Sequence, residues 1–159
     1  MTDTPVLGVT TTVAFNDYFA QEAARDRRRA ELLPANMAVV FNALASVGIV
    51  NVIVVFEGCG DSGQIESTDA QDATGEVALP NVTVEIASPS YADDSIDRHM
   101  LPLAEAIATM AYDLLSSTHG GWENNDGAYG EFTFDVATRV ISLDHNERYV
   151  AVESYSHEF

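Results

Sequence analysis

The sequence contains no lysine, and its seven arginines are set against 25 aspartates and glutamates, giving a formal net charge of −18. Such a chain repels phosphate backbones and anionic membrane surfaces, which excludes direct nucleic-acid or membrane binding as its main role. A lone cysteine, Cys59, cannot form an intramolecular disulfide. That absence fits a reducing compartment, and we expect a cytoplasmic location.

Long hydrophobic runs are also lacking, and none approaches the ~20 residues that a membrane span needs. The opening MTDTPVLGVTTT has neither a basic region nor a long apolar core, so it does not predict a secretory signal. Hydrophobic residues nevertheless make up 47% of the chain, enough for a folded core. We therefore predict a single acidic domain over residues 1–159, with 1–13 extended or flexible.

The negative charge is unevenly distributed. Residues 1–29 hold four acids and four arginines, whereas residues 30–159 hold 21 acids and three arginines. The whole excess therefore lies after residue 29, where it favours basic partners and cations. A high charge also keeps a protein in solution without any partner, and that simpler interpretation stays open.

Three helices are predicted from capping signals and apolar spacing. The first runs over 16–33, beginning at the cap-type residue Asn16. The second occupies 34–47, because Pro34 suits the first turn of a helix. The third covers 101–117.

Strands are predicted where apolar and β-branched residues cluster or alternate with polar ones. They cover 49–56, 64–68, 82–87, 131–136, 139–144 and 148–156, with loops at 69–80 and 88–97. The order of elements predicts an α+β fold: a mainly antiparallel sheet of about five or six strands with three helices packed on one face.

Two glycine-and-acid turns, 60–63 and 125–127, each lead into a strand that carries an acid, Glu66 or Glu131. They define the candidate binding residues Asp61, Ser62, Gln64, Glu66, His119, Trp122, Glu123, Asn124, Asn125, Asp126 and Glu131. Tight turns favour Asn, Asp and Gly for backbone reasons alone, so the composition has two interpretations. Likewise, Trp122 either anchors its loop on the core or acts as a contact hot spot.

No catalytic pattern is complete, so we assign no catalytic residue and no cofactor. The GDSG segment lacks a preceding histidine, and Gln64 breaks the nucleophile-elbow pattern. A calcium loop would place Trp122 and Thr133 where carboxylates are required. No HxxxH or HExxH pair occurs, and each histidine is expected to be a surface or hydrogen-bonded residue. A non-standard cation site remains an alternative, shared by Asp61, Glu66, Glu123 and Asp126.

The segments GDSGQIE (60–66), HGGWENNDGAYGEFTFDV (119–136), HNERY (145–149) and the terminal SHEF resemble an uncharacterised bacterial family. That family is a domain of unknown function found in proteobacterial and plasmid-borne genes. The likeness covers most of residues 50–159 and implies no established activity. It does imply that the glycine-and-acid turns characterise the family, and mobile-element genes often encode regulators or counter-defence proteins.

The leading hypothesis is a non-enzymatic acidic module that binds a basic protein surface, including an inhibitor that occupies a nucleic-acid-binding surface. A metal-dependent enzyme or metal-binding protein is the first alternative, with His119 beside the carboxylates of the two turns. A structural homo-oligomer, such as a homodimer, is the second. A non-enzyme is favoured, and enzymatic activity stays open.

Overall fold

The computed structural model describes residues 6–60, 62–124 and 126–159, of which 6–15 are described as backbone only. This part of the chain forms two helices and seven strands, which confirms the α+β class. In chain order they are α1 (Val6–Ser46), β1 (Ile49–Cys59), β2 (Ser62–Asp72), β3 (Gly75–Val77), β4 (Thr83–Pro89), β5 (Ile96–Pro102), α2 (Leu103–Thr118), β6 (Ala128–Asp135) and β7 (Val140–Glu147). Neither helix is long and apolar enough to cross a membrane.

Five strands form one antiparallel sheet in the order β3-β2-β1-β6-β7, and β4 pairs with β5 in a separate two-stranded sheet. β1 is the central strand because it is the most apolar, and its side chains alternate between two environments. Val52, Val54 and Phe56 are fully buried, whereas Ile53 and Val55 are only half-buried. The sheet therefore has a covered face and an open face.

The core lies on the covered face, between the sheet and the two helices. Phe132 and Phe134 of β6 join the buried side chains of β1 there. From α1, the ring of Phe41 contacts Phe134 with 6.1 Å between centroids. Ile107 and Leu115 of α2 are fully buried in the same cluster.

The predicted break at Pro34 is wrong, because residues 16–33 and 34–46 belong to one helix that contains this proline. The fixed φ of proline is compatible with a helix. The local cost is therefore one missing backbone hydrogen bond and some steric crowding. Packing of the following turns on the sheet outweighs that loss. Residues 6–13 are helical as well, where extended chain was expected, and residues 1–5 lie outside the described part.

Three strand predictions also need correction. β3 lies within the segment 69–80 and β5 begins in the segment 88–97, both of which were expected to be loops. Their sequences lack clean alternation, and pairing with a neighbour makes them strands. Residues 148–156 are not a strand: they have no regular structure, and 149–159 are exposed. Apolar residues there, such as Val150 and Val152, suggested a strand, but no neighbouring strand pairs with them.

One side chain joins α1 to the two-stranded sheet. The amide of Asn36 donates to the carbonyl of Ala87 at 2.9 Å and accepts from its N–H at 3.0 Å. Ala87 is buried in β4, so water would not easily replace either bond. Asn36 thus continues the hydrogen bonding of β4 as a neighbouring strand would.

Replacing Asn36 with alanine should lower the free energy of unfolding by about 2 kcal/mol or more, because two buried backbone groups lose their partners. Chemical denaturation followed by circular dichroism measures this. Asn42→Ala is the matched control on the same helix, since it removes an exposed bond to Arg139. Equal losses for the two variants would contradict the role given to Asn36.

Candidate functional site

The described residues of the two glycine-and-acid turns lie side by side at one end of the large sheet. Gly58 and Gly63 are cross-strand partners in β1 and β2, and the indole of Trp122 lies against both. A Cβ atom on Gly63 would stand 2.3 Å from Cη2 of Trp122, and one on Gly58 would stand 2.7 Å from Cζ3. Glycine is therefore required at both positions by this close approach.

Trp122 anchors its loop to the core. The side chain is only 9% exposed, and its ring meets Phe56 edge to face with 5.5 Å between centroids. Gly127, with φ of 81°, packs on the backbone of Gly58, where a Cβ atom would stand 1.8 Å from the carbonyl oxygen. Packing thus explains the tryptophan and several glycines of the two turns.

The candidate residues of β2 are exposed. Ser62, Gln64 and Glu66 all face solvent, and the amide of Gln64 donates to the carboxylate of Glu66 at 3.0 Å. Asp61 lies outside the described residues. This part of the site consequently offers polar groups that are open to solvent.

Two candidate residues of the second turn are also exposed, and one lies outside the described part of the chain. Asn124 and Asp126 are exposed and Glu123 is half-buried, while Asn125 lies outside the described residues. Backbone bonds close this loop, with Asn124 N–H donating to Gly121 and Gly127 N–H donating to Asn124. Trp122 and the Cα of Glu123 lie against Gly58 on the same side of the sheet as Phe56, so this loop lies at the end of the covered face.

Glu131 lies on the open face, which the register of the sheet makes strongly acidic. Side chains directly opposite in paired strands share a face, so Glu131 lies beside Val55 of β1 and Asp144 of β7. The carboxylates assigned to this face are Glu57, Asp69, Glu76, Glu131, Asp135 and Asp144. None of their side chains is buried, and the half-buried Ile53 and Val55 lie among them.

Cations are scarce on the open face. The Arg148 guanidinium binds Glu57 at 2.9 Å and stacks on Tyr129 at 4.7 Å, at one end. Among the described residues, Glu131 and Asp144 take part in no ion pair, although they are direct cross-strand partners. Like charges directly opposite each other destabilise a sheet, so the free protein retains an unfavourable arrangement here.

Sequence reasoning identified Glu131 but missed the acids around it. Alternation along 131–136 indicated a wet face, yet it could not say which acids of other strands share that face. That information lies in the register, which places Val55, Glu131 and Asp144 in one row across the sheet. Asp69 lies in the next row of the same face, opposite Ile53.

His119 lies on the covered side of the sheet, where α2 ends and its backbone N–H bonds to Leu115. Its ring stacks on His145 of β7, with 3.7 Å between centroids and 9° between planes. Together with Glu147, these histidines are the group of described residues able to hold a metal ion. Sequence reasoning missed His145 and Glu147, whose i, i+2 spacing is a strand-face signal and matches no helical zinc motif.

A groove of about 330 Å³ lies between α1, β4 and α2. Leu33, Ile86 and Met110 are among its apolar lining residues. At its rim, partial desolvation raises the pKa of Asp113, and the nearby positive charge of Arg29 lowers it by a smaller amount. The groove contains none of the candidate residues named from the sequence.

The family model of a family of unknown function, DUF6878, matches residues 32–159. The chain belongs to this family. The match confirms that both turns lie in a family domain, and it begins earlier than residue 50, inside α1. Comparisons with curated proteins and with solved structures find no match.

The contact between Trp122 and the paired glycines predicts a strong coupling. Gly63→Ala should lower the free energy of unfolding by about 1–3 kcal/mol, because the added methyl group overlaps the indole. In a Trp122→Ala background the same substitution should cost far less, as circular dichroism during denaturation would show. Gly120→Ala is the control, since its Cβ atom meets only the Ser116 oxygen at 3.4 Å. Additive losses in the double variant would contradict this packing.

Proposed function

We propose that this protein is a non-enzymatic binding module whose open sheet face docks onto a basic protein surface. The observation that carries the proposal is the pairing of Glu131 with Asp144, two directly opposed carboxylates that form no ion pair with any residue the structure describes. The arrangement costs stability in the free protein, and an arginine or lysine of a partner would relieve that cost. Local features that oppose stability are typical of functional surfaces.

The centre of the face also suits a protein partner. Ile53 and Val55 are half-buried side chains among the carboxylates, so docking would remove apolar area from water. An apolar centre with a charged rim is the usual organisation of a protein interface. The acidic rim would steer a basic partner into contact and increase the association rate at low salt.

The sign of the charge selects the class of partner. Phosphate backbones would be repelled, whereas proteins that bind nucleic acids present basic surfaces of complementary charge. In this proposal the protein occupies such a surface, as a regulator or a counter-defence inhibitor would. The resemblance to proteobacterial and plasmid-borne genes supports that role. Self-association through the same face is disfavoured, because two acidic faces would repel each other.

The candidate residues named from the sequence have different parts in this proposal. Glu131 is central, and Gln64 and Glu66 lie in β2 toward the turn that joins β1 and β2. Trp122 packs on the covered side, where it holds the second turn against the end of the sheet. The contact surface therefore extends from the first turn along the sheet.

The double variant Glu131→Gln/Asp144→Asn tests the proposal with a fluorescent deca-arginine peptide as the probe. Association should slow at least roughly threefold at low salt, and the difference should shrink at high salt as screening increases. Stopped-flow fluorescence measures both effects. The variant should also unfold at a slightly higher denaturant concentration, because a like-charge pair has been removed.

The matched control is Glu31→Gln/Asp97→Asn, which removes the same two charges from exposed positions on α1 and β5. Affinity capture from the host then asks whether a basic protein binds wild type and control but not the open-face variant. Equal peptide kinetics for both double variants, with the same captured proteins, would contradict the proposal.

A further inference from the structure

A group of potential metal ligands lies on the covered side of the sheet, away from the open acidic face. His145 and Glu147 are two residues apart in β7, so their side chains share a face of this edge strand. His119 reaches them from the end of α2. Two independent elements therefore bring two imidazoles and one carboxylate together.

Two distances within this group approach those inside a coordination sphere. Oε1 of Glu147 lies 3.4 Å from Nε2 of His145 and 3.7 Å from Nδ1 of His119. All three ligand atoms lie within 4.8 Å of one another. Zinc–nitrogen bonds of 2.0–2.1 Å in tetrahedral geometry separate neighbouring ligand atoms by about 3.3 Å. The rings are stacked almost parallel and their lone pairs lie in the ring planes, so metal binding requires a rotation of the partly exposed His119 that unstacks it from His145.

His145 supplies the observation that points to a ligand. Its side chain is only 5% exposed, and neither ring nitrogen has a hydrogen-bond partner among the described residues. A buried polar group without a partner costs free energy, and native proteins rarely leave one. A bound metal ion would engage one of these nitrogens and remove part of that cost.

The surrounding packing holds His145 in place. Its ring lies between His119 and Phe56, whose centroid is 5.8 Å away. Gly130 is the cross-strand partner of both Phe56 and His145, and a Cβ atom on this glycine would stand 3.0 Å from the Phe56 ring. The glycine therefore lets the phenylalanine and the histidine approach across β6. Phe56 therefore holds the His145 ring from β1, whereas His119 is the ligand that has to move.

We propose that His119, His145 and Glu147 bind a divalent transition-metal ion, and that zinc is the preferred ion. Imidazole nitrogens favour zinc, copper and nickel over calcium and magnesium, which take oxygen ligands. Three protein ligands leave a coordination position open for water or for a ligand atom from another molecule. The site lies on the opposite face from Glu131 and Asp144, so it does not depend on the proposed docking function.

Isothermal titration of the full chain with zinc chloride tests this proposal. Wild type should bind one zinc ion at this site, release protons on binding and bind more weakly as the pH falls, because protons compete for the imidazoles. Cobalt(II) should give the intense visible absorption of a four-coordinate site. His119→Ala and Glu147→Gln, both at accessible positions, should each weaken binding by roughly tenfold or more.

Three controls locate the site. His99→Ala and His157→Ala remove histidines outside the group, and Glu123→Gln/Asp126→Asn removes carboxylates of the second turn. Each of these variants should bind zinc as wild type does. Circular dichroism checks that each variant is folded. Zinc binding by His145→Gln is interpreted only if that variant folds. Absence of zinc binding by wild type would overturn the proposal, as would binding that survives His119→Ala and Glu147→Gln but is lost in a control.

Discussion

The two-residue alternation along β1 and β6 determines the two surfaces of this protein. Val52, Val54 and Phe56 point into the core, so their neighbours Ile53 and Val55 must point outward. A shift of one residue in strand pairing would exchange the two sets and expose the core. Burial therefore fixes the register, and the register places acidic side chains from five strands on the open face.

The same constraint explains the arrangement on the covered side. Phe56, Gly130 and His145 lie in one row across the sheet, with Gly130 paired to both neighbours. Trp122 reaches Phe56 from the loop after α2, and His119 reaches His145 from the end of that helix. The proposed metal site and the turn anchor therefore share one aromatic support. Their chemistry remains separate from that of the acidic face, because the sheet lies between them.

Much of the fold could be predicted from local patterns. The apolar run at 49–56 and the alternation at 131–136 predicted the central strands, because each pattern is strong over its whole length. Pro34 misled the helix assignment, since the cost of a proline inside a helix is small beside the packing of the turns that follow. The strands at 75–77 and 96–102 depend on their neighbours, and no local pattern predicts them.

The site was less predictable because its residues meet only through pairing. Glu131 could be named from alternation, whereas Asp144 becomes its partner only when β7 is placed beside β6. His145 looked like an isolated histidine, and its burial beside His119 requires the complete sheet and the end of α2. Trp122 was named as either an anchor or a contact residue, and its contact with Gly58 and Gly63 explains it as an anchor.

The central claim is that the open face is the surface at which basic groups bind. Backbone amide shifts of the isotope-labelled protein, recorded during titration with a deca-arginine peptide, test it most directly. The account predicts shifts concentrated at residues such as Asp69, Glu131, Thr133 and Asp144, with little change along α2 and β5. Shifts spread evenly over the exposed acids, or centred on the helices, would contradict it.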